Sequence, residues 1–268
     1  MLLKLEKDLP TTCALKRSIG MKQYEAVEQT LERLGGVATL GQLNQEVLKI
    51  TECEWKTKTP FASIRRIVQT DDKIYRIKPG LWALKAFRKE LEQKGILVET
   101  EKNKDSQEIK DFNHSYYQGL LLIIGNLRHF QTFAPNQDKN KLFIKEKLGD
   151  VRTLDKLPDF SYKNFVARSS TIDVIWFNER KMPNSFFEVE HSTDIQNSLE
   201  KFNDLRDFYA KMYIVADEKR FAEYEKKMNY ISFSDMKKEK RVSFLNYQDL
   251  EKQYNQVLEQ QTMQTIIL

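Results

Sequence analysis

"SFFEVEHSTD", residues 185–194, sets Glu188 and Glu190 on either side of Val189 in a stretch that otherwise reads as a buried strand. A carboxylate in such a strand costs free energy unless something pairs with it. Side chains alternate faces along a strand, so the two glutamates share one face and Val189 points the other way, into the core. Just upstream, "TIDVIWF" (171–177) is a second near-continuous apolar strand, joined to the first by the seven residues "NERKMPN". So short a connection makes the two an antiparallel hairpin. Opposed positions then have a constant sum, near 362 from the loop ends 177 and 185, which sets Asp173 opposite position 189, give or take one. An odd sum makes Asp173 face one glutamate directly and the other diagonally, with Cβ atoms roughly 5–7 Å apart.

Three carboxylates so close repel one another and call for protons, basic partners or a metal. A hard divalent cation such as magnesium takes oxygen ligands of this kind and leaves room for water and substrate phosphate. The competing reading is a solvated strand end whose acids pair with Arg180, Lys181 or Lys201. Spacing alone leaves both standing.

Working outward, "SYYQGLLLIIGNLRHF" has the pattern of a long apolar helix, and "DIQNSLEKFNDLRDFYA" that of an amphipathic one with Ile195, Leu199, Phe202 and Tyr209 on its inner side. "KMYIVAD" and "RVSFLNY" read as strands, "KRFAEYEKKM" as a helix between them, and the tail "LEKQYNQVLEQQTMQTIIL" as a helix that packs on the domain or on a second subunit. Such a mixture predicts an α/β fold with its sheet covered on both faces. Thr193 and Gln196 fit a capping box. His191 follows the acids directly and reads as a structural residue, and His114 and His129 show no ligand spacing. "APNQDKNK" (134–141), with Asp138, Lys139 and Lys141, reads as a loop.

The order "IDVIWF…FFEVEHS", helix, "KMYIVAD" resembles the core of the PD-(D/E)xK restriction-endonuclease-like nucleases, over about residues 112–250. The resemblance implies a mixed sheet flanked by helices, Asp173 and Glu188 as ligands of Mg2+, and hydrolysis of DNA to 5′-phosphate and 3′-hydroxyl ends. It also implies a homodimer, since two strands must be cut, and a cognate DNA methyltransferase. The sequence departs from the pattern twice: Ile172 stands where proline is usual, and Glu190 stands where lysine is usual, an E-x-E arrangement. Two readings of Glu190 stay open. In one it serves as a third catalytic residue that handles the attacking water or a second metal. In the other the site is weak or inactive and the protein is a DNA-binding sensor or regulator.

The N-terminal part reads differently. "QYEAVEQTLERLGG" is helical and closed by Gly35; "TLGQLNQEVLK" starts at Thr39 as N-cap; "KTPFASIRRIVQT" offers Thr59 as N-cap and Pro60 at the first helical position. "KIYRI", a Pro79-Gly80 turn and "LWAL" follow as two short strands. "GGVATLGQL…TPFASIRRIVQ…IYRIKPGLWAL" resembles the HARE-HTH winged-helix domain, which implies duplex DNA binding and a proposed sensing of modified bases. On the third helix, Phe61, Ile64 and Val68 form the inner stripe, while Ser63, Arg65, Arg66, Gln69 and Thr70 face out, suited to base edges in a major groove. Lys56, Lys58 and Thr59 at the helix start, and Lys78 in the wing, suit phosphates. Trp82 reads as a core aromatic.

These assignments divide the chain into an extension (1–20), a winged-helix domain (21–88), a charged linker (89–111) and a catalytic domain with a C-terminal helix (112–268). Composition agrees with a globular, polyanion-binding protein. The net charge of +5 is concentrated, with ten Lys/Arg against two acids between Trp55 and Lys89. The two cysteines, Cys13 and Cys53, form no metal or disulfide pattern and suit a reducing compartment, the cytoplasm. The longest apolar run, "LLLII" at 120–124, is too short to cross a bilayer, so no membrane is expected as a partner.

Overall fold

The computed structural model describes residues 20–267, so the extension expected over 1–20 lies, save Gly20, outside the described residues. The first unit comprises α1 (Gln23–Arg33), β1 (Val37–Thr39), α2 (Leu40–Val47), α3 (Pro60–Thr70), β2 (Ile74–Lys78) and β3 (Leu81–Leu84). Its three helices surround a core of Val27, Leu31, Leu43, Ile64, Val68 and Trp82. The strand β1, absent from the sequence reading, adds to the expected hairpin to make a three-stranded antiparallel sheet in the order β1-β3-β2. Gly80 adopts a φ of 77° in the hairpin turn, a conformation open to glycine without a Cβ clash. Thr39 caps α2 as expected, accepting from the Gln42 N–H. Thr59 occupies the N-cap position of α3, but its side chain makes no capping bond; Pro60 alone starts that helix.

The charged segment 89–111 contains α4 (Arg88–Gln93) and the first turn of α5 (Gln107–Leu127), which begins eight residues before the apolar run because Ser106 caps it and Ile109 and Phe112 already face inward. Then come β4 (Gln131–Phe133), β5 (Leu142–Phe143), β6 (Glu146–Lys147), α6 (Leu148–Val151), α7 (Lys163–Ser169), β7 (Val174–Phe177), β8 (Pro183–Glu190), α8 (Ile195–Asp204) and β9 (Lys211–Ala216). The chain ends with α9 (Phe221–Met228), α10 (Ser234–Lys238), β10 (Val242–Asn246) and α11 (Tyr247–Ile267).

Five strands form one mixed sheet, β10-β9-β8-β7-β4, parallel across β10-β9-β8 and antiparallel across β8-β7-β4. Its two faces are apolar for different partners. Val174, Trp176, Phe187 and Val189 pack beneath α5 and α11. Ile175, Phe177, Phe186 and Ile214 pack against Ile195, Leu199 and Phe202 of α8. Helix α8 ends at Asp204, six residues earlier than the sequence pattern suggests; Leu205 is buried near its end, and Tyr209 is 96% exposed rather than on the inner side. The tail helix α11 packs on this chain's own α5 and α2, joining the two units: the Tyr117 and Tyr247 rings stack at 3.7 Å, and Tyr254 hydrogen-bonds Thr39 at 3.3 Å. No described helix is long and apolar enough to cross a membrane.

Candidate active site

The β7–β8 register decides where the acids go. Val174 pairs with Phe187, Ile175 with Phe186 and Trp176 with Ser185, an odd sum on the acid side of the register shift between Trp176 and Phe177. Continuing that ladder by one residue sets Asp173 opposite Glu188. Asp173, Glu188 and Glu190 therefore lie on the face that α8 covers, while Val189 lies in the core on the other. All three line one cavity of about 490 Å³, together with His114, Lys141 and Lys201.

None of the three acids lies at a solvated strand end; they are 9%, 2% and 4% exposed. Asp173 Oδ2 accepts from the Val189 N–H at 2.7 Å, and Oδ1 lies 3.4 Å from His114 Nε2. Burial works to raise the Asp173 carboxyl, but His114 and the Val189 N–H outweigh it and hold it below the usual carboxylate range. Glu188 is the reverse case: burial and then Asp173 push it well up, against the pull of Lys201. Its Oε2 accepts from Lys201 Nζ at 2.8 Å and Ser198 Oγ at 3.0 Å, while Oε1 has no partner. Glu190 is raised by burial and drawn back by the hydroxyls of Ser198 and Thr193, with Arg220 Nη1 at 3.8 Å. Ser198 thus touches both glutamates, yet one hydroxyl carries one proton. Without a cation in the cavity, one of the two carboxyls must supply a proton to complete the pair of hydrogen bonds.

Helix α8 makes this possible. Its N-cap is Asp194, which accepts from the Gln196 N–H, rather than Thr193, whose hydroxyl is engaged by Glu190. From that start, Ile195, Ser198, Leu199 and Phe202 face the sheet, and Ser198 is the one polar side chain in the stripe. Lys201, one turn after Ser198, reaches back to Glu188 and to the Thr171 carbonyl at 3.0 Å, with its side chain 24% exposed. Burial lowers its ammonium, but Glu188 more than reverses this and keeps it raised, hence charged. Of the three basic residues expected as partners for the acids, Lys201 is the one that pairs with Glu188.

The sequence also gave no sign of His114 or Asp138. His114 comes from α5, and Asp138 from the loop after β4, where it is 4% exposed and held by Gln118 Nε2 at 3.0 Å and Lys141 Nζ at 2.7 Å. Ligand atoms of His114, Asp138 and Asp173 lie within 4.8 Å of one another, close enough to hold a metal ion. Neither residue has a local motif, because one comes from α5 and the other from the loop after β4, both far in sequence from the acid hairpin.

Among the residues expected to face DNA, Lys56, Lys58, Thr59, Arg65, Arg66 and Gln69 are exposed and Ser63 is half-buried. Arg65 and Gln69 line a groove between α3 and α11. None of these residues lines the acid cavity. Lys78 departs from expectation. It is 8% exposed, donates to Asn113, and lies 4.5–5.3 Å from the ring centres of Tyr117, Tyr116 and Phe112, so it has no exposed ammonium to offer a phosphate.

Comparison with known proteins adds the family. The model of the family described as "Type II restriction enzyme NmeDI C-terminal domain" matches residues 96–267, more than half of the chain. The chain belongs to that family. The matched span contains the whole five-stranded sheet, all three acids and α11. Type II restriction enzyme NmeDI of Neisseria meningitidis serogroup C is 29% identical over 100 residues, covering 35% of this chain and 28% of that protein. The chain therefore matches little more than a quarter of that relative's length. No solved structure matches.

Proposed function

We propose that the protein is a metal-dependent DNA endonuclease of the restriction type. The observation that carries the reading is Glu188: a side chain 2% exposed, with one carboxylate oxygen unpaired, beside Asp173 in a cavity that also holds a charged lysine. A buried orphan carboxylate oxygen costs stability, about 1–3 kcal/mol, and is kept where a ligand will satisfy it. A magnesium ion fits this donor set, since it takes carboxylate oxygens and retains waters. Asp173 and Glu188 would hold it, and when bound it would polarise a phosphodiester and lower the pKa of a water.

The chain's own groups do the rest. Lys201 presents a fixed ammonium beside Glu188, where the charge of a scissile phosphate would gather. Glu190, raised by burial, accepts the Ser198 and Thr193 hydroxyls and is positioned to take a proton from the attacking water at its carboxylate. The lysine absent from position 190 is thus replaced in charge by one from α8. The lysine missing from position 190 is therefore no argument for the sensor reading. The outer face of α3, with Ser63, Arg65, Arg66 and Gln69, would enter a major groove in the winged-helix manner, and Lys56, Lys58 and Thr59 would contact phosphates. Cleavage of both strands calls for a homodimer, and protection of host DNA calls for a cognate methyltransferase.

The test is incubation of purified protein with plasmid and genomic DNA, with and without Mg2+. Discrete Mg2+-dependent fragments that vanish in Glu188→Ala, with duplex binding retained, are expected. A band shift with no cleavage under any divalent metal would establish the sensor instead.

A further inference from the structure

We propose that His114, Asp138 and Asp173 form a nitrogen-containing metal site that takes a transition-type divalent cation, Mn2+ being the probe of choice. This rests on the nuclease reading only in sharing Asp173, and adds to it a second ligand set and a metal class. Three segments remote in sequence supply the donors: α5, the loop after β4, and the residue preceding β7. Their ligand atoms lie within 4.8 Å of one another. Two donors on one ion of this class, each at about 2.1–2.2 Å and at right angles, are separated by about 3 Å. His114 Nε2 and Asp173 Oδ1 stand 3.4 Å apart, long for a hydrogen bond and close to that ligand–ligand spacing.

Two further observations point to a cation there. Asp138 is 4% exposed on a loop, where a carboxylate is costly to bury, and its Oδ1 is met by the Lys141 ammonium at 2.7 Å. Lys141 keeps 36% of its side chain exposed, and its flexible stem can withdraw to solvent when another cation arrives. A metal ion bound there would take the place of that ammonium. Independently, the unpaired Oε1 of Glu188 belongs to a side chain that is 2% exposed and lines the same cavity as His114, Asp173 and Lys141. The donor set decides the metal: imidazole nitrogen suits zinc, nickel or iron, and carboxylate oxygen suits manganese and magnesium. A site with one imidazole and two carboxylates is mixed, and Mn2+ is the ion of the oxygen class whose spectrum reports an imidazole ligand.

The experiment uses the full chain, stripped of metal and titrated with Mn2+ alone. Pulsed electron paramagnetic resonance of bound Mn2+ is expected to show coupling to an imidazole 14N nucleus. His114→Gln should abolish that coupling and weaken Mn2+ binding at least about tenfold while changing Mg2+ binding far less. Lys141→Ala, which removes the competing ammonium, should tighten Mn2+ binding; this variant keeps the test intact if His114→Gln fails to fold. Absence of 14N coupling in the parent, or Mn2+ affinity unmoved by both substitutions, overturns the proposal. If Mg2+-dependent cutting then persists, the nuclease reading survives alone. If 14N coupling is present and DNA is never cut, the metal site stands and the nuclease reading falls.

Discussion

Glu188 and Lys201 form one buried ion pair, 2.8 Å long, and the structure predicts that its two halves respond to mutation with opposite sign. Glu188→Gln keeps the shape, keeps an oxygen for Lys201 and Ser198, and takes one of the three mutually repelling carboxyls out of the site. It exchanges the unpaired buried acceptor for an amide NH2 with no partner of its own, so that cost of about 1–3 kcal/mol stays. The charged bond to Lys201 also weakens, by about 1 kcal/mol, softened because that ammonium is 24% exposed and still bonds the Thr171 carbonyl. What favours the variant is relief of the burial and Asp173 repulsion that push Glu188 up, so a net gain of about 1 kcal/mol, or about 2–4 °C in Tm, is expected. Lys201→Met does the reverse. It strands the Glu188 carboxylate at 2% exposure, and breaking a buried pair from one side costs about 3–5 kcal/mol, so Tm should fall by at least about 6 °C. Both variants should lose cutting. The assay is thermal unfolding followed by circular dichroism, near neutral pH with a chelator. Excess Mg2+ should then raise the parent's Tm by mass action and leave Glu188→Gln nearly unmoved. A chelator-treated Glu188→Gln less stable than the parent, or a Lys201→Met of unchanged Tm, would refute the claim that this site is assembled at the expense of stability.

Three other outcomes are expected. Arg66→Ala should weaken duplex binding, measured by fluorescence anisotropy across a salt series, and reduce the slope of log affinity against log salt by about one if the contact is to phosphate. Burial raises Glu251 to about 8 and lowers Lys78 to about 8, each against the other's pull. The glutamate's contribution to stability is whole below its ordinary value of 4.5 and is lost as pH climbs through about 8. The lysine's depressed value restores stability as pH rises from about 8 toward 10.5, so Tm should dip near pH 8 and Glu251→Gln should flatten the acid side of the dip. Gly119→Ala should destabilise the protein by about 1–3 kcal/mol in denaturant melts, because a Cβ there would fall into the Phe143 ring.

The acid hairpin was legible because it rests on rules local to a few residues. A seven-residue connection forces antiparallel pairing and alternation puts Glu188 and Glu190 on one face, but the loop ends left the parity of the register open; the irregularity between Trp176 and Phe177 settles it at an odd sum, which brings Asp173 to the same face. The helices of the first unit were legible for the same reason: Pro60 and the Thr39 cap signal a start without tertiary help. What escaped depends on contacts between distant segments. Lys78 looked like a wing-tip cation until α5 brought three aromatic rings over it. Thr193 looked like an N-cap until Glu190 engaged its hydroxyl and Asp194 took the cap. The strand β4 is three residues long and gains its identity from pairing with β7. One missed signal was local: a serine at 198 within the apolar stripe of α8 needs a polar partner, and the sheet offers only the two glutamates.

The remaining question is how a duplex held by α3 could be delivered to acids in another unit. Helix α11 constrains the answer. Its first residue, Tyr247, donates its hydroxyl to the Glu190 carbonyl at 3.0 Å and stacks on Tyr117. Three turns on, Asn44 of α2 donates to Glu259 at 3.1 Å, and a Cβ on Gly41 would collide with Leu258. One helix therefore touches both the backbone of the acid strand and the helix that supports α3. Lys78 seals the same junction from the hairpin side, buried against α5. A flexible tether would let the first unit search for DNA independently of the site. A junction closed by stacked tyrosines and a buried lysine stem does not, because parting it would expose apolar surface to water. The geometry between α3 and the acid cavity is thus set by packing before DNA arrives, so the distance from recognised base to cut bond should be fixed.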